Sequence, residues 1–230
     1  MQNVLWVLAG LMYAHMCRSS VGKPRVNGEV FPLKIRVIVE TLKIPEWKVT
    51  QAVEIFQRIY AESGLNVRVE CTEVRYAPET RGEERPKEIY SDDTQEIEGI
   101  ALFNALQTVA EGITEKKNFS GRNQAMFFLH LEESPKVHGA SIEGGLFRGS
   151  PIAICTITPQ DTPKEIGETM AHELAHLLGA KHDGVSNSCH PRGSLMEQVY
   201  TKQAEIKRLS PCTKASIKDS IQREIYARER

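Results

Sequence analysis

The sequence predicts a single α/β (α+β) domain: a twisted mixed sheet packed with helices, followed by a smaller C-terminal part that ends in a helix. Three observations predict it. Short runs of alternating or continuous β-branched residues recur along the first two-thirds of the 230-residue chain, as strands do. Between them, apolar residues fall three or four apart, as on one face of a helix. No repeat, low-complexity tract or linker interrupts the series, and the length suits one domain.

The elements follow in order. LKIRVIVE (33–40) alternates and reads as a strand. After Pro45, Val49, Ala52, Val53, Phe56, Ile59 and Tyr60 form the stripe of an amphipathic helix, which Gly64 closes. LNVRVECTEV (65–74) is a second strand, and the charged, proline-containing stretch 75–93 is a surface loop. A second helix carries Ile97, Leu102, Ala105, Leu106, Val109 and Ile113 on one face. AMFFLHL (125–131) is a buried strand, and Gly139, Ala140, Ser141, Ile142, Glu143, Gly144 and Gly145 make a short edge strand. PIAICTI (151–157) is continuously apolar, as a central strand would be. Thr162 as N-cap, Pro163 at the first helical position and Glu165 three residues after the cap announce the next helix. It should run to Leu178, with Gly179 ending it in a left-handed conformation. Ser210-Pro211 opens a last helix, with Ile217, Ile221 and Ile225 on one stripe.

The N-terminus and the cysteines speak to compartment. VLWVLAGLMYA (4–14) is an uncharged apolar run of signal-peptide length, too short to span a bilayer. Cys17 and Ser19 suit a cleavage point after Ser19. The usual positive segment before such a run is missing, and a buried N-terminal element is the competing reading. Residues 1–19 are therefore expected to be a signal peptide, and the mature chain a secreted, soluble monomer that engages no membrane. Cleavage leaves Cys71, Cys155, Cys189 and Cys212, an even number that suggests disulfides without stating their connectivity. Asn118 heads an N-glycosylation sequon. The net charge is −1, and no basic tract points to nucleic acid.

The chemistry concentrates in AHELAHLLGAKHDG (171–184), which holds three of the seven histidines. His172 and His176 are four apart on a helix, so both imidazoles project from one face and can share one metal ion. Glu173 stands beside them as general base rather than ligand. Two satisfied histidines on a surface helix would be the bland explanation. Gly179, however, allows the chain to fold back, and His182 then brings a third nitrogen. Three neutral imidazoles leave the fourth position of a tetrahedral Zn²⁺ for water, the pattern of a catalytic site. Asp183, next in sequence, reads as structural, accepting hydrogen bonds from backbone groups in the turn. His130 and His138 read as core or surface residues outside the site; His190, beside Cys189, could approach the cleft but is not assigned to it.

HELAHLLGAKH (172–182) matches HExxHxxGxxH, and the chain thereby resembles the metzincin zinc endopeptidases. Met196, fourteen residues after His182, is placed as that family's methionine turn. Asp183 after the third histidine is similar to the adamalysin or reprolysin branch, which includes snake-venom, tick-salivary and scorpion-venom metalloproteases. LSPCTKASI (209–217) resembles the segment that opens the branch's C-terminal helix. The similarity in element order covers about 33–230, and the residue-level match about 169–217.

The resemblance implies a metzincin fold with an upper subdomain at about 33–179 and a lower one at about 180–230. It implies a Cys189–Cys212 disulfide and one catalytic zinc ion. Glu173 would be the base acting on a zinc-activated water. Protein or peptide substrates would lie extended along the 139–145 edge strand, and Thr169 with the segment after Met196 would line the next pocket. The departures matter as well. No room is seen for a blocking prodomain between residue 19 and the first strand, and no disintegrin domain is expected. The family's cysteine after the edge strand is replaced by Leu146-Phe147, so Cys71 and Cys155 either pair with each other or stay as buried thiols. The calcium site of some relatives does not carry over, because its residues do not match. The competing functions are a secreted binder or toxin that retains the protease fold without turnover, and a metzincin of another branch. Intact Glu173 argues against the first; Asp183 and Gln198 argue against an astacin-like enzyme.

Overall fold

The computed structural model describes residues 30–40, 42–76, 123–133, 135, 137–185 and 187–228. The expected signal peptide, the helix expected around 97–113 and the sequon at Asn118 lie outside the described residues.

A five-stranded sheet forms the frame, made of β1 (Phe31–Val39), β2 (Val67–Tyr76), β3 (Gln124–Leu131), β4 (Gly139–Ser141) and β5 (Ile152–Ile157). Their spatial order is β2-β1-β3-β5-β4. The first four run parallel and β4 is antiparallel to β5 at the edge. Parallel strands are covered on both faces, which is why β3 and β5 read as near-continuous apolar runs; every residue of β5 is buried. The alternation of β2 breaks at Thr72, where one extra residue is accommodated opposite Ile35 and Arg36. The Thr72 hydroxyl donates to the Ile35 carbonyl at 3.0 Å, satisfying a group that the interrupted ladder leaves open.

Three helices complete the described architecture: α1 (Glu46–Ala61), α2 (Pro163–Leu177) and α3 (Pro211–Arg228). The stripe on α1 is buried from Val49 to Tyr60, and Phe56 meets Phe127 of β3 with ring centroids 5.3 Å apart. Helix α1 also packs on α2. Gly167 makes that crossing close, since a Cβ there would lie 2.6 Å from the Ala52 carbonyl oxygen. The buried Tyr60 hydroxyl donates to the Ala171 carbonyl at 3.0 Å, fastening α1 to the residue before His172.

Helix α2 begins as its sequence dictates. Glu165 N–H donates to Thr162 Oγ1 at 3.3 Å and Thr162 N–H donates to Glu165 Oε2 at 2.7 Å, a complete capping box with Pro163 in the first turn. It ends at Gly179, whose φ of +91° is in the left-handed region that glycine adopts at least cost. A side chain there would also meet the Ser220 hydroxyl of α3 at 2.5 Å.

One expectation changes, and one left open is resolved. The edge strand is only three residues long, because residues 142–149 turn back instead of extending it. Gly144 N–H donates to the His176 carbonyl at 2.8 Å and Leu146 N–H to the Leu177 carbonyl at 3.2 Å. The segment thus supplies donors to the last carbonyls of α2, which have no partner within the helix. Cys71 and Cys155 are not bonded to each other; both are buried thiols. They sit on β2 and β5 with β1 and β3 between them, three strand spacings of about 4.8 Å apart and far beyond disulfide reach.

Candidate active site

The site is assembled where α2 ends, the chain turns, and the segment around Met196 returns beneath it. His172 and His176 project from α2, and His182 follows the turn at Gly179. Their Nε2 atoms are separated by 3.1 Å (His172–His176), 3.2 Å (His176–His182) and 3.2 Å (His172–His182). Two nitrogens bound to one tetrahedral ion at about 2.0–2.1 Å lie about 3.3–3.4 Å apart, so the triangle fits zinc.

The second nitrogens settle what the first can do. His172 Nδ1 donates to the Leu195 carbonyl at 2.8 Å, and His176 Nδ1 donates to the Ala180 carbonyl at 2.8 Å. With the proton on Nδ1, each Nε2 presents a lone pair towards the others. Lone pairs converging at this distance repel unless a cation lies between them. Among the described residues this triad is the group of side chains able to hold a metal ion, and zinc matches its nitrogen donors and geometry. Burial pushes the His172 imidazole pKa down to about 3 and that of His176 down to about 4, and it lowers the half-exposed His182 as well. All three are therefore neutral, as ligands must be, at physiological pH.

Glu173 is 3 % exposed and lies against the edge strand. The Ser141 hydroxyl donates to its Oε2 at 2.6 Å and also lies 3.1 Å from its backbone carbonyl oxygen. Burial raises the Glu173 carboxyl to about 8, against the lowering effect of the Ser141 hydrogen bond. A cation held by the adjacent histidines would pull it down.

Beneath the histidines, Met196 is wholly buried and its carbonyl accepts the Asp183 N–H at 2.9 Å. The turn that carries Met196 is thus joined to the chain beside His182, while its neighbour Leu195 orients His172. The Asp183 side chain differs from expectation: its partners are side chains, not turn backbone. Oδ1 accepts from Ser210 Oγ at 2.8 Å, Thr213 Oγ1 at 3.3 Å and Asn187 Nδ2 at 3.3 Å. Cys189 is bonded to Cys212 with Cα atoms 6.0 Å apart, tying the loop after His182 to the first turn of α3. The Thr169 hydroxyl turns back to the Glu165 carbonyl at 3.0 Å.

The other described histidines stay outside. His130 pairs through Nδ1 with the Glu40 carboxylate, His190 Nδ1 accepts the Arg192 N–H at 3.1 Å, and the His138 ring lies 5.8 Å from that of Tyr200.

The sequence reading missed a buried polar cluster below the site. Glu168, 1 % exposed, accepts from the Tyr200 hydroxyl at 2.8 Å and from Lys207 N–H at 2.9 Å. Lys207 itself lies over the Tyr200 ring. A signal was available: Glu168 precedes His172 by four residues and so shares the histidines' face of the helix. The Leu195 and Ala180 carbonyls had no such signal.

The chain is similar to known proteins in sequence and in fold. The family model described as metallo-peptidase family M12 (Reprolysin_5) matches residues 45–209. The human protein "A disintegrin and metalloproteinase with thrombospondin motifs 13" is 35 % identical over 93 residues, 40 % of this chain and 6 % of that protein. Among solved structures, metalloproteinase-II from Bacteroides fragilis superposes with a TM-score of 0.56 at 19 % identity, over 86 % of this chain and 55 % of that one. A chain from a chaperone–substrate complex gives 0.52 at 12 % identity, over 86 % and 35 %. These structural likenesses concern the fold. The chain spans well under two-thirds of each of these relatives.

Proposed function

The chain belongs to metallo-peptidase family M12, as a zinc metallopeptidase of the reprolysin type, and from that premise we propose that it cleaves internal peptide bonds of proteins with Glu173 as general base. The observation that carries this is the triangle of Nε2 atoms at 3.1–3.2 Å with a buried carboxyl group next to it. When bound, zinc would supply Lewis acidity, acidifying a water and polarising the scissile carbonyl.

The chain's own residues do the rest. His172, His176 and His182 hold the ion, the first two in the tautomer that the Leu195 and Ala180 carbonyls impose. Glu173 takes the attacking water's proton and delivers it to the departing amine. Its Oε2 is engaged by Ser141, which leaves Oε1 for that transfer. The open edge of β4, whose other side pairs with β5, receives the substrate as an added antiparallel strand, a mode that reads backbone more than side chains.

We further propose that the chain acts outside the cell as a monomer. The N-terminal apolar run and the Cys189–Cys212 disulfide support an extracellular setting. No described helix is long and apolar enough to cross a membrane.

Hydrolysis of casein by the secreted protein tests the reading. Activity should vanish on chelation and return with about one equivalent of zinc per chain. Casein cleavage that survives complete removal of metal would refute it.

A further inference from the structure

The edge strand has two faces, and one of them rests on the catalytic carboxylate. Side chains alternate along a strand, so Gly139 and Ser141 share a face while Ala140 points the other way. Both residues of that face meet Glu173. At Gly139 a Cβ would stand 2.8 Å from Glu173 Cδ and 2.9 Å from its Cγ, closer than real contacts allow. At Ser141 the hydroxyl donates to Oε2 at 2.6 Å. One position therefore carries no side chain, which makes room for the carboxyl group. The next carries the donor that fixes its rotation. Glu173 itself is buried and accepts no other side-chain hydrogen bond among the described residues.

We propose that Ser141 is the positioning residue for Glu173, and that Gly139 with Ser141 forms a cradle through which the substrate-binding strand sets the orientation of the base. This rests on the peptidase reading given above. The strand that a peptide would join is then the strand that aims the proton acceptor, so binding and base placement share one element. The hydroxyl has a single proton and donates it to the nearer oxygen, Oε2. The Glu173 carbonyl oxygen, at 3.1 Å, is the alternative acceptor for the same proton.

The test compares wild type, Ser141→Ala, Ser141→Thr and Gly139→Ala in the zinc-loaded full chain. Two readouts are used: kcat and KM on an internally quenched peptide, and calorimetric affinity for a peptide hydroxamate, a zinc-directed ligand whose hydroxyl needs a placed carboxylate. Ser141→Ala should lower kcat about tenfold, the size of one hydrogen bond to a charged group. KM and zinc content should not change, and hydroxamate should bind several-fold more weakly. Ser141→Thr, which keeps the hydroxyl, should recover most of both. Gly139→Ala should lose more activity than Ser141→Ala while retaining zinc, because it displaces the carboxyl group instead of releasing it. Unchanged kcat and hydroxamate affinity in Ser141→Ala would overturn the proposal, as would a threonine variant no better than alanine. If wild type cleaves no substrate, the peptidase reading fails. The hydroxamate series still decides whether Ser141 holds Glu173.

Discussion

Asp183 and Ser210 stand 27 residues apart in sequence and are joined by a 2.8 Å hydrogen bond from the serine hydroxyl to Oδ1. The same oxygen accepts from Thr213 and Asn187, while the Asp183 N–H reaches the Met196 carbonyl. One buried carboxylate thus gathers the turn after His182, the loop to Cys189 and the start of α3. Asp183→Ala removes the acceptor that three side chains share, among them the buried Thr213, at a cost of about 3 kcal/mol. For a domain of this size we expect a fall of roughly 10 °C in the melting temperature of the zinc-free protein. A scanning-calorimetry trace unchanged from wild type would show that the cluster contributes nothing.

The Cys189–Cys212 bond closes a loop across a sequence separation of 23. Loop-closure entropy for that length is worth about 3 kcal/mol. The double variant Cys189→Ala, Cys212→Ala should lose about that much in urea unfolding, with a slope equal to or steeper than wild type because its unfolded chain is less constrained. Equal stability with and without the bond would contradict this.

Gly179→Ala should damage the site more than the fold. Its φ of +91° disfavours any side chain, and the new methyl would press on Ser220. The strain is about 1–2 kcal/mol and falls on the turn that delivers His182. Zinc affinity measured by competition with a chromogenic chelator should therefore drop at least about tenfold while the far-ultraviolet spectrum stays native-like. Wild-type affinity would mean that the turn tolerates a side chain.

The metal-free protein should lose stability in acid by a route that can be isolated. His172 and His176 titrate at about 3 and about 4 when folded, below the ordinary 6.5. The unfolded chain therefore takes up protons first. The contribution is whole above pH 6.5 and is lost as pH falls towards the folded values. Glu173 acts in the opposite sense, because its folded value near 8 exceeds the ordinary 4.5. Its protonated form favours the native state as pH falls from 8 to 4.5. In chelated Glu173→Gln protein the opposing carboxyl is gone, so the urea midpoint should fall more steeply between pH 7 and 5 than in chelated wild type. Parallel curves would contradict these assignments.

Much of this was legible in the sequence because it is local. The capping box at Thr162, the i, i+4 histidines and the glycine that ends α2 are each specified within a few residues. The burial stripe of α1 likewise follows from its own spacing. What was not legible depends on long-range placement. Residues 142–149 are glycine-rich and could have extended the edge strand. They turn instead, and their Gly144 and Leu146 N–H groups reach the His176 and Leu177 carbonyls at the end of α2. The fate of Cys71 and Cys155 depends on a strand order that neither segment encodes. The acceptors that set the histidine tautomers are main-chain carbonyls of residues 180 and 195, and any residue type would supply them. Ser141 was legible as part of a strand, and only the fold shows its hydroxyl on Glu173.

The central claim is that Glu173 is the base of a zinc peptidase, and the most direct test is casein hydrolysis by wild type and Glu173→Ala side by side, with bound zinc quantified in each. The account predicts about one zinc per chain in both, with activity in wild type and a loss of at least about a thousandfold in the variant. A variant that retains zinc and cleaves casein within about tenfold of wild type would contradict it.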